Sequence, residues 1–434
     1  MQKSKRWVST IAAALTAATL LPLLSARANP ELVFDVNSGD ILYQQEAAKP
    51  WYPASLTKLM TVYVALKLVK DGKFSFDSPF IVTRRAAVMQ PAKMGFAPGT
   101  VLTLGNALKF LMVKSANDVA VTVAEGMGGS VEGFAALMNH YAAKLGMAES
   151  HFVTPNGLPD PRHVASARDL ALLATALYRE FPEEAGLFSI GELQFGNKYI
   201  HTFNGLLGRY PGADGMKTGF TCAAGFNIVA GATRQGRHLI AIVLGQQNVK
   251  ERNATAADLL EAAFDGKDKG SGHIQDLPVL ADAPPDMHQF ACGPHRHSSE
   301  AGDETEAAAT PATASDSEAA SGRALPATSA TAAAPQEQET IGAQLAHMPK
   351  PEFTPVPVYI GQAPGKELAV TPVVANAIDI TPFPPRHARR VARNHHMRVV
   401  HHGAVKAKKA VQKHKVNTKT TSKRPQGKKA KSRS

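Results

Sequence analysis

Cysteine is nearly absent from this chain: its 434 residues contain two, Cys222 and Cys292. Two cysteines do not make the disulfide framework of a small secreted scaffold, and they do not supply a structural zinc site. Because Cys292 lies beyond the folded domain expected below, the sequence predicts two free thiols. His288, Cys292, His295 and His297, and the doublets His395-His396 and His401-His402, lack structural-zinc spacing and sit outside any predicted element, so no metal and no cofactor is expected.

Long apolar runs are also missing. The run over residues 11–24 falls short of the roughly 20 residues that span a bilayer, and no later run approaches that length. Lys3, Lys5 and Arg6 precede it and Ala26-Arg27-Ala28 follows it, so residues 1–28 read as a cleaved export signal, with the mature chain starting near Asn29. The expected location is outside the cytoplasm, in the periplasm or at the cell envelope, with no transmembrane helix.

Acid is missing from one end. Residues 386–434 hold seventeen Lys and Arg and no Asp or Glu, so the formal charge of +12 belongs to that tail, and the bulk of the chain is net acidic. Ala and Val are scattered through the tail without a helical stripe, which argues against insertion through an apolar face. The sequence predicts a disordered polybasic tail that meets an anionic envelope surface through charge. An exported chain encounters little nucleic acid, so none is expected as a partner. Large apolar residues are scarce at 300–339, where Ala, Pro, Ser, Thr and Glu dominate, and residues 349–385 are rich in Val-Pro and Thr-Pro steps. Residues 267–385 therefore read as a linker, low-complexity and then extended, in which a small strand-containing module at 356–380 is an open alternative.

What remains, residues 29–266, carries the signals of one mixed domain. Leu32-Val33-Phe34-Asp35-Val36 turns at Asn37-Ser38-Gly39-Asp40 into Ile41-Leu42-Tyr43, a β-hairpin. Helices are expected at 55–69, 107–113, 118–125, 131–145 and 253–263, and strands at 225–233 and 238–244. Strands at both ends with helices between imply an α+β fold in which an antiparallel β-sheet, flanked by helices, joins the two ends of the domain.

Three short motifs stand in order within it: Ser55-Leu56-Thr57-Lys58, Ser115-Ala116-Asn117 and Lys217-Thr218-Gly219. A serine hydroxyl is a weak nucleophile and needs a base; residues three apart on a helix share a face, so Lys58 can take the proton of Ser55. Lysine does so only when neutral, and burial beside a second cation, Lys217, lowers its pKa. Ser115 suits a proton relay, and Asn117 an amide that holds the substrate backbone. A helix N-terminus at Ser55 favours a developing oxyanion.

These motifs resemble the penicillin-binding protein and serine β-lactamase superfamily. Their surroundings, Pro53-Ala54-Ser55-Leu56-Thr57-Lys58-Leu59-Met60-Thr61, Ser166-Ala167-Arg168-Asp169-Leu170 and Asp214-Gly215-Met216-Lys217-Thr218-Gly219-Phe220, resemble the low-molecular-mass D-alanyl-D-alanine carboxypeptidases over about residues 30–265. The resemblance implies a DD-peptidase/β-lactamase-like fold and a serine peptidase that trims peptidoglycan stem peptides and is acylated by β-lactam antibiotics. It implies catalytic roles for Ser55, Lys58, Ser115 and Asn117. Lys217, Thr218, Gly219, Phe220 and Arg252 would bind substrate, Phe220 and Ser55 through backbone N–H groups at the oxyanion, Thr218 and Arg252 at the terminal carboxylate. D,D-endopeptidase or β-lactamase activity, and a non-catalytic envelope-binding protein, are the alternatives. Against a β-lactamase, no Glu-x-x-Leu-Asn segment is present and the middle motif is Ser-Ala-Asn rather than Ser-Asp-Asn. Asn156 stands where relatives often have histidine. The compact second domain and amphipathic anchor of many relatives are not legible.

Overall fold

The computed structural model describes residues 29–267, 270, 272–293 and 339–361. The export signal expected at 1–28 and the polybasic tail expected at 386–434 lie outside the described residues. Strand β1 (Glu31–Asp35) turns through Gly39, at φ +81°, into β2 (Ile41–Gln45). A 3-10 turn (Ala54–Leu56) then runs into helix α1 (Thr57–Lys70). Short pieces follow, β3 (Pro79–Ile81), α2 (Arg84–Ala87) and β4 (Val101–Thr103), and then helices α3 (Leu104–Val113), α4 (Asn117–Gly128), α5 (Val131–Leu145) and α6 (Ala167–Glu180). The helix ends follow local chemistry. Ser130 caps α5 by accepting from Gly133 N, and Gly146, at φ +77°, ends it in the left-handed conformation that glycine adopts without penalty. Ser166 caps α6 in the same way.

After a hairpin of β5 (Glu192–Phe195) and β6 (Lys198–His201) come β7 (Ala213–Thr221), β8 (Gly225–Arg234), β9 (Arg237–Gln246) and α7 (Val249–Phe264). The main sheet is antiparallel, in the order β2-β1-β9-β8-β7, so the first and last strands of the domain pair, with Glu31 opposite Val243 and Asp35 opposite Leu239. Successive side chains of a strand point to opposite faces, and β9 shows it. Ile240, Ile242 and Leu244 enter the core under α1 and α3 to α6, while Leu239, Ala241 and Val243 pack toward α7 with Leu206 and Leu260. Burial on both faces explains why these strands read as continuous apolar runs rather than alternating ones. The α+β expectation holds.

Two expectations are corrected. Residues 267–385 are not simply linker, because described parts of that stretch are docked on the domain. Ile274, 1% exposed, donates its N–H to Gly39 O, and Leu280 N donates to Glu149 Oε1. Helix α8 (His288–Ala291) follows. Helix α9 (Ile341–Leu345) sits on α7, where Asp258 accepts from Gly342 N and Thr340 Oγ1. Strand β10 (Val356–Val358) pairs in parallel with β5, the described part of the 356–380 alternative. The second correction concerns the thiols: Cys222 and Cys292 form a disulfide. Cys292 was expected outside the domain, but the returning segment carries it back to the end of β7. Among the described residues no helix is long and apolar enough to cross a membrane.

Candidate active site

Ser55 occupies the 3-10 turn at the head of α1, and Lys58 lies in the first turn of that helix. Their spacing brings the two side chains together: Lys58 Nζ lies 2.9 Å from Ser55 Oγ, 2.8 Å from Asn117 Oδ1 and 2.9 Å from the Asn156 carbonyl. Lys58 is fully buried. Desolvation, followed by the charge of Lys217, pushes its ammonium well below the ordinary 10.5, against the opposing pull of Asp118. A neutral amine there donates to the two oxygens of Asn117 and Asn156 and keeps a lone pair for the hydroxyl proton of Ser55.

Asn117 opens α4, and both donors of its side-chain amide are engaged. Its Oδ1 accepts from Lys58, and its Nδ2 donates to Gln90 O at 2.9 Å and Pro91 O at 3.2 Å. In this structure the amide ties the 90–91 loop to the lysine, and Asn117 also lines the cleft. Ser115 has φ +59°, and its buried Oγ has no hydrogen-bond partner among the described residues. It faces the same cleft, about 400 Å³ in volume, as Ser55, Asn156, Thr218 and Phe220.

Lys217, Thr218, Gly219 and Phe220 lie on β7, the edge strand beside the turn that carries Ser55. A Cβ at Gly219 would stand 3.0 Å from Ser55 N, Leu56 N and Pro53 O, so glycine permits the strand to pass this close to the turn. Lys217 is 2% exposed, with Nζ 3.0 Å from Thr218 O. Asn156 is buried in the cleft wall, where its carbonyl accepts from Lys58 and its Oδ1 from Leu158 N. Gly157, at φ +80°, leaves no space for a side chain, since a Cβ would meet Ala54 O at 1.8 Å. Arg252 is not brought to the cleft wall. It is fully buried on α7, where its guanidinium donates to Phe203 O at 3.2 Å and to Asn253 Oδ1, and Phe203 is the residue that lines the cleft.

Sequence reading misses the residues that hold this geometry. Asn227, fully buried on β8, donates to Tyr52 O and Pro53 O and accepts from Gly245 N, pinning the Ser55 turn to the sheet. Its signal is in the sequence, because one amide inside a strand buried on both faces requires partners. Trp51 Nε1 donates to Ala224 O. His163 accepts at Nδ1 from Val153 N and Thr154 N, so its proton is on Nε2, which donates to Thr57 Oγ1 at 2.8 Å. Burial, then His151, lowers its pKa to about 3, against Asp160. A neutral ring thus ties the Asn156 loop to α1. His288 of α8 also lines the cleft, outside the sequence expectation.

The arrangement supplies a serine with an amine of lowered pKa at hydrogen-bond distance, a second hydroxyl without a partner among the described residues and a cleft of peptide size, which is the equipment for acyl transfer. A family model described as D-alanyl-D-alanine carboxypeptidase matches residues 16–248. The chain is 35% identical over 238 residues to the D-alanyl-D-alanine carboxypeptidase DacA of Haemophilus influenzae, covering 54% of this chain and 61% of that protein. It is 31% identical over 245 residues to DacF of Bacillus subtilis, covering 56% and 63%. The crystal structure of penicillin binding protein 5 from Haemophilus influenzae superposes with a TM-score of 0.53 at 34% identity, covering 55% of this chain and 71% of that one. The chain thus spans about three fifths of the length of these curated relatives.

Proposed function

The chain belongs to the D-alanyl-D-alanine carboxypeptidase family, and from that premise we propose that it removes the terminal D-alanine from peptidoglycan pentapeptide stems and is acylated by β-lactam antibiotics. The observation that carries this reading is the buried contact of Lys58 with Ser55 beneath an open cleft. Ser55 Oγ attacks the carbonyl between the last two residues while Lys58 takes its proton. The carbonyl oxygen becomes an oxyanion at the backbone N–H groups of Ser55 and Phe220. When the C–N bond breaks, the proton passes through Ser115 to the departing D-alanine nitrogen, and a water later hydrolyses the serine ester. Asn117 and the Asn156 carbonyl fix the amine that moves the proton. Thr218 receives the terminal carboxylate, and Arg252 acts from behind Phe203, where it holds the cleft wall. The mature chain works outside the cytoplasm, in the periplasm or at the envelope, where stem peptides are found.

The test is to incubate the mature protein with purified muropeptides and read the products by mass spectrometry, with fluorescent penicillin labelling in parallel. Loss of one D-alanine from pentapeptides is expected, and Ser55→Ala is expected to abolish both release and labelling while the circular dichroism spectrum stays unchanged. Cleavage of cross-links without D-alanine release would replace this reading with an endopeptidase. Labelling that persists in Ser55→Ala would remove the nucleophile assignment.

A further inference from the structure

The segment after α7 returns to the mouth of the cleft and is fastened there. Met287, 7% exposed, donates its N–H to Ala223 O at 3.0 Å, and Asp286 Oδ1 accepts from His288 N at 2.9 Å. Cys292 is joined to Cys222 four residues after His288. These attachments set the exposed side of α8 beside Thr221, Cys222 and Ala223, so His288 becomes part of the cleft lining. The family match ends at residue 248, so this wall is contributed by sequence outside the matched region.

Its position relative to the reaction follows from the direction of β7. In the carboxypeptidase reading, on which this inference rests, the terminal carboxylate lies at Thr218 and the oxyanion at Phe220. The acyl part of the substrate therefore continues past Phe220, toward Ala223 and α8. The strand ends at Thr221 and the chain turns at 222–224, so Ala223 stands at most roughly 10 Å from Phe220, the length of two to three residues of an extended peptide. A second recess, about 200 Å³, shares Leu158, Pro159, Thr221 and Ala223 with the cleft and is bounded by Tyr52, so the cavity widens on the acyl side. Asp286 stands close enough to Tyr52 to raise its phenol pKa, second to burial. The returning segment thus places an imidazole where a long acyl chain passes and a short one does not reach.

We propose that residues 272–292, fastened by the Cys222–Cys292 disulfide, form a specificity wall for the acyl side of the substrate, in which His288 hydrogen-bonds the peptide two or three residues before the scissile bond. The ligand class is a polar peptide extended on its N-terminal side, as opposed to a short acyl-D-Ala-D-Ala.

The experiment compares kcat/KM for a stem pentapeptide with that for N-acetyl-D-Ala-D-Ala, in the full mature chain. His288→Ala is expected to lower the ratio of the two by about threefold to tenfold, the loss of one hydrogen bond, and His288→Gln to restore part of it. Cys222→Ser/Cys292→Ser is expected to lower the ratio as well. Dithiothreitol is expected to bring the wild type to that lowered ratio and to leave the double variant where it is. A ratio that stays within twofold of wild type in His288→Ala and in the double variant overturns the inference. A wild type that releases D-alanine from neither peptide overturns the carboxypeptidase reading and this inference with it.

Discussion

At the scale of single residues the site depends on what burial does to Lys58. Its folded pKa is lowered from 10.5, so acylation is expected to rise with pH as the ammonium loses its proton, with a midpoint well below 10.5. Lys217 is one cause of that lowering, so Lys217→Gln is expected to move the midpoint upward, read from the pH dependence of penicillin acylation. A midpoint that does not move would separate the two lysines. Gly219→Ala places a methyl group 3.0 Å from three backbone atoms of the Ser55 turn. Overpacking of this kind costs about 1–3 kcal/mol, and a displaced Ser55 is expected to slow acylation at least tenfold while Gly186→Ala, where nothing lies within 4 Å and φ is not positive, leaves it unchanged. The Ser55–Lys58 contact was legible because a spacing of three on a helix is local. The tie from the Asn117 amide to Gln90 and Pro91 was not, because it depends on a loop 27 and 26 residues away.

Elements differ in the same way. Helix α5 was readable to the residue because Ser130 and Gly146 mark its ends, and β8 and β9 were readable because their two buried faces leave unbroken apolar runs. The strands β5 and β6 are four residues each and mixed in composition, so no period shows. Helix α8 has four residues, and its placement comes from the disulfide and from Met287, neither of which has a local pattern. The loop around Asn156 owes its position to His163, and that gives it an acid limit. The folded pKa of about 3 lies below the ordinary 6.5, so the stability this group contributes is complete above pH 6.5 and is lost progressively as pH falls toward 3. Melting temperature is expected to fall across that window in the wild type and to fall less in His163→Gln, which accepts and donates without titrating. Equal acid sensitivity in both would place the titrating group elsewhere.

For the whole molecule, charge separates the folded domain from the tail. Residues 386–434 have seventeen basic residues and no acid, and attachment through charge alone weakens as salt screens it over about 8 Å at physiological strength. Deleting residues 386–434 is expected to release the protein from envelope fractions without changing turnover of a small soluble peptide. Retention that withstands 1 M salt would point to an apolar anchor instead. The sheet adds a constraint of a different kind, one of timing. Strand β1 lies between β2 and β9, so Leu32, Val33 and Phe34 near the start of the domain wait for partners some two hundred residues later. Long-range pairing of this sort is slow and leaves an apolar edge open in the meantime. A chain still being synthesised therefore has no finished sheet to hold β7 against Ser55, and the Ser55 turn is assembled only after residue 246 has arrived.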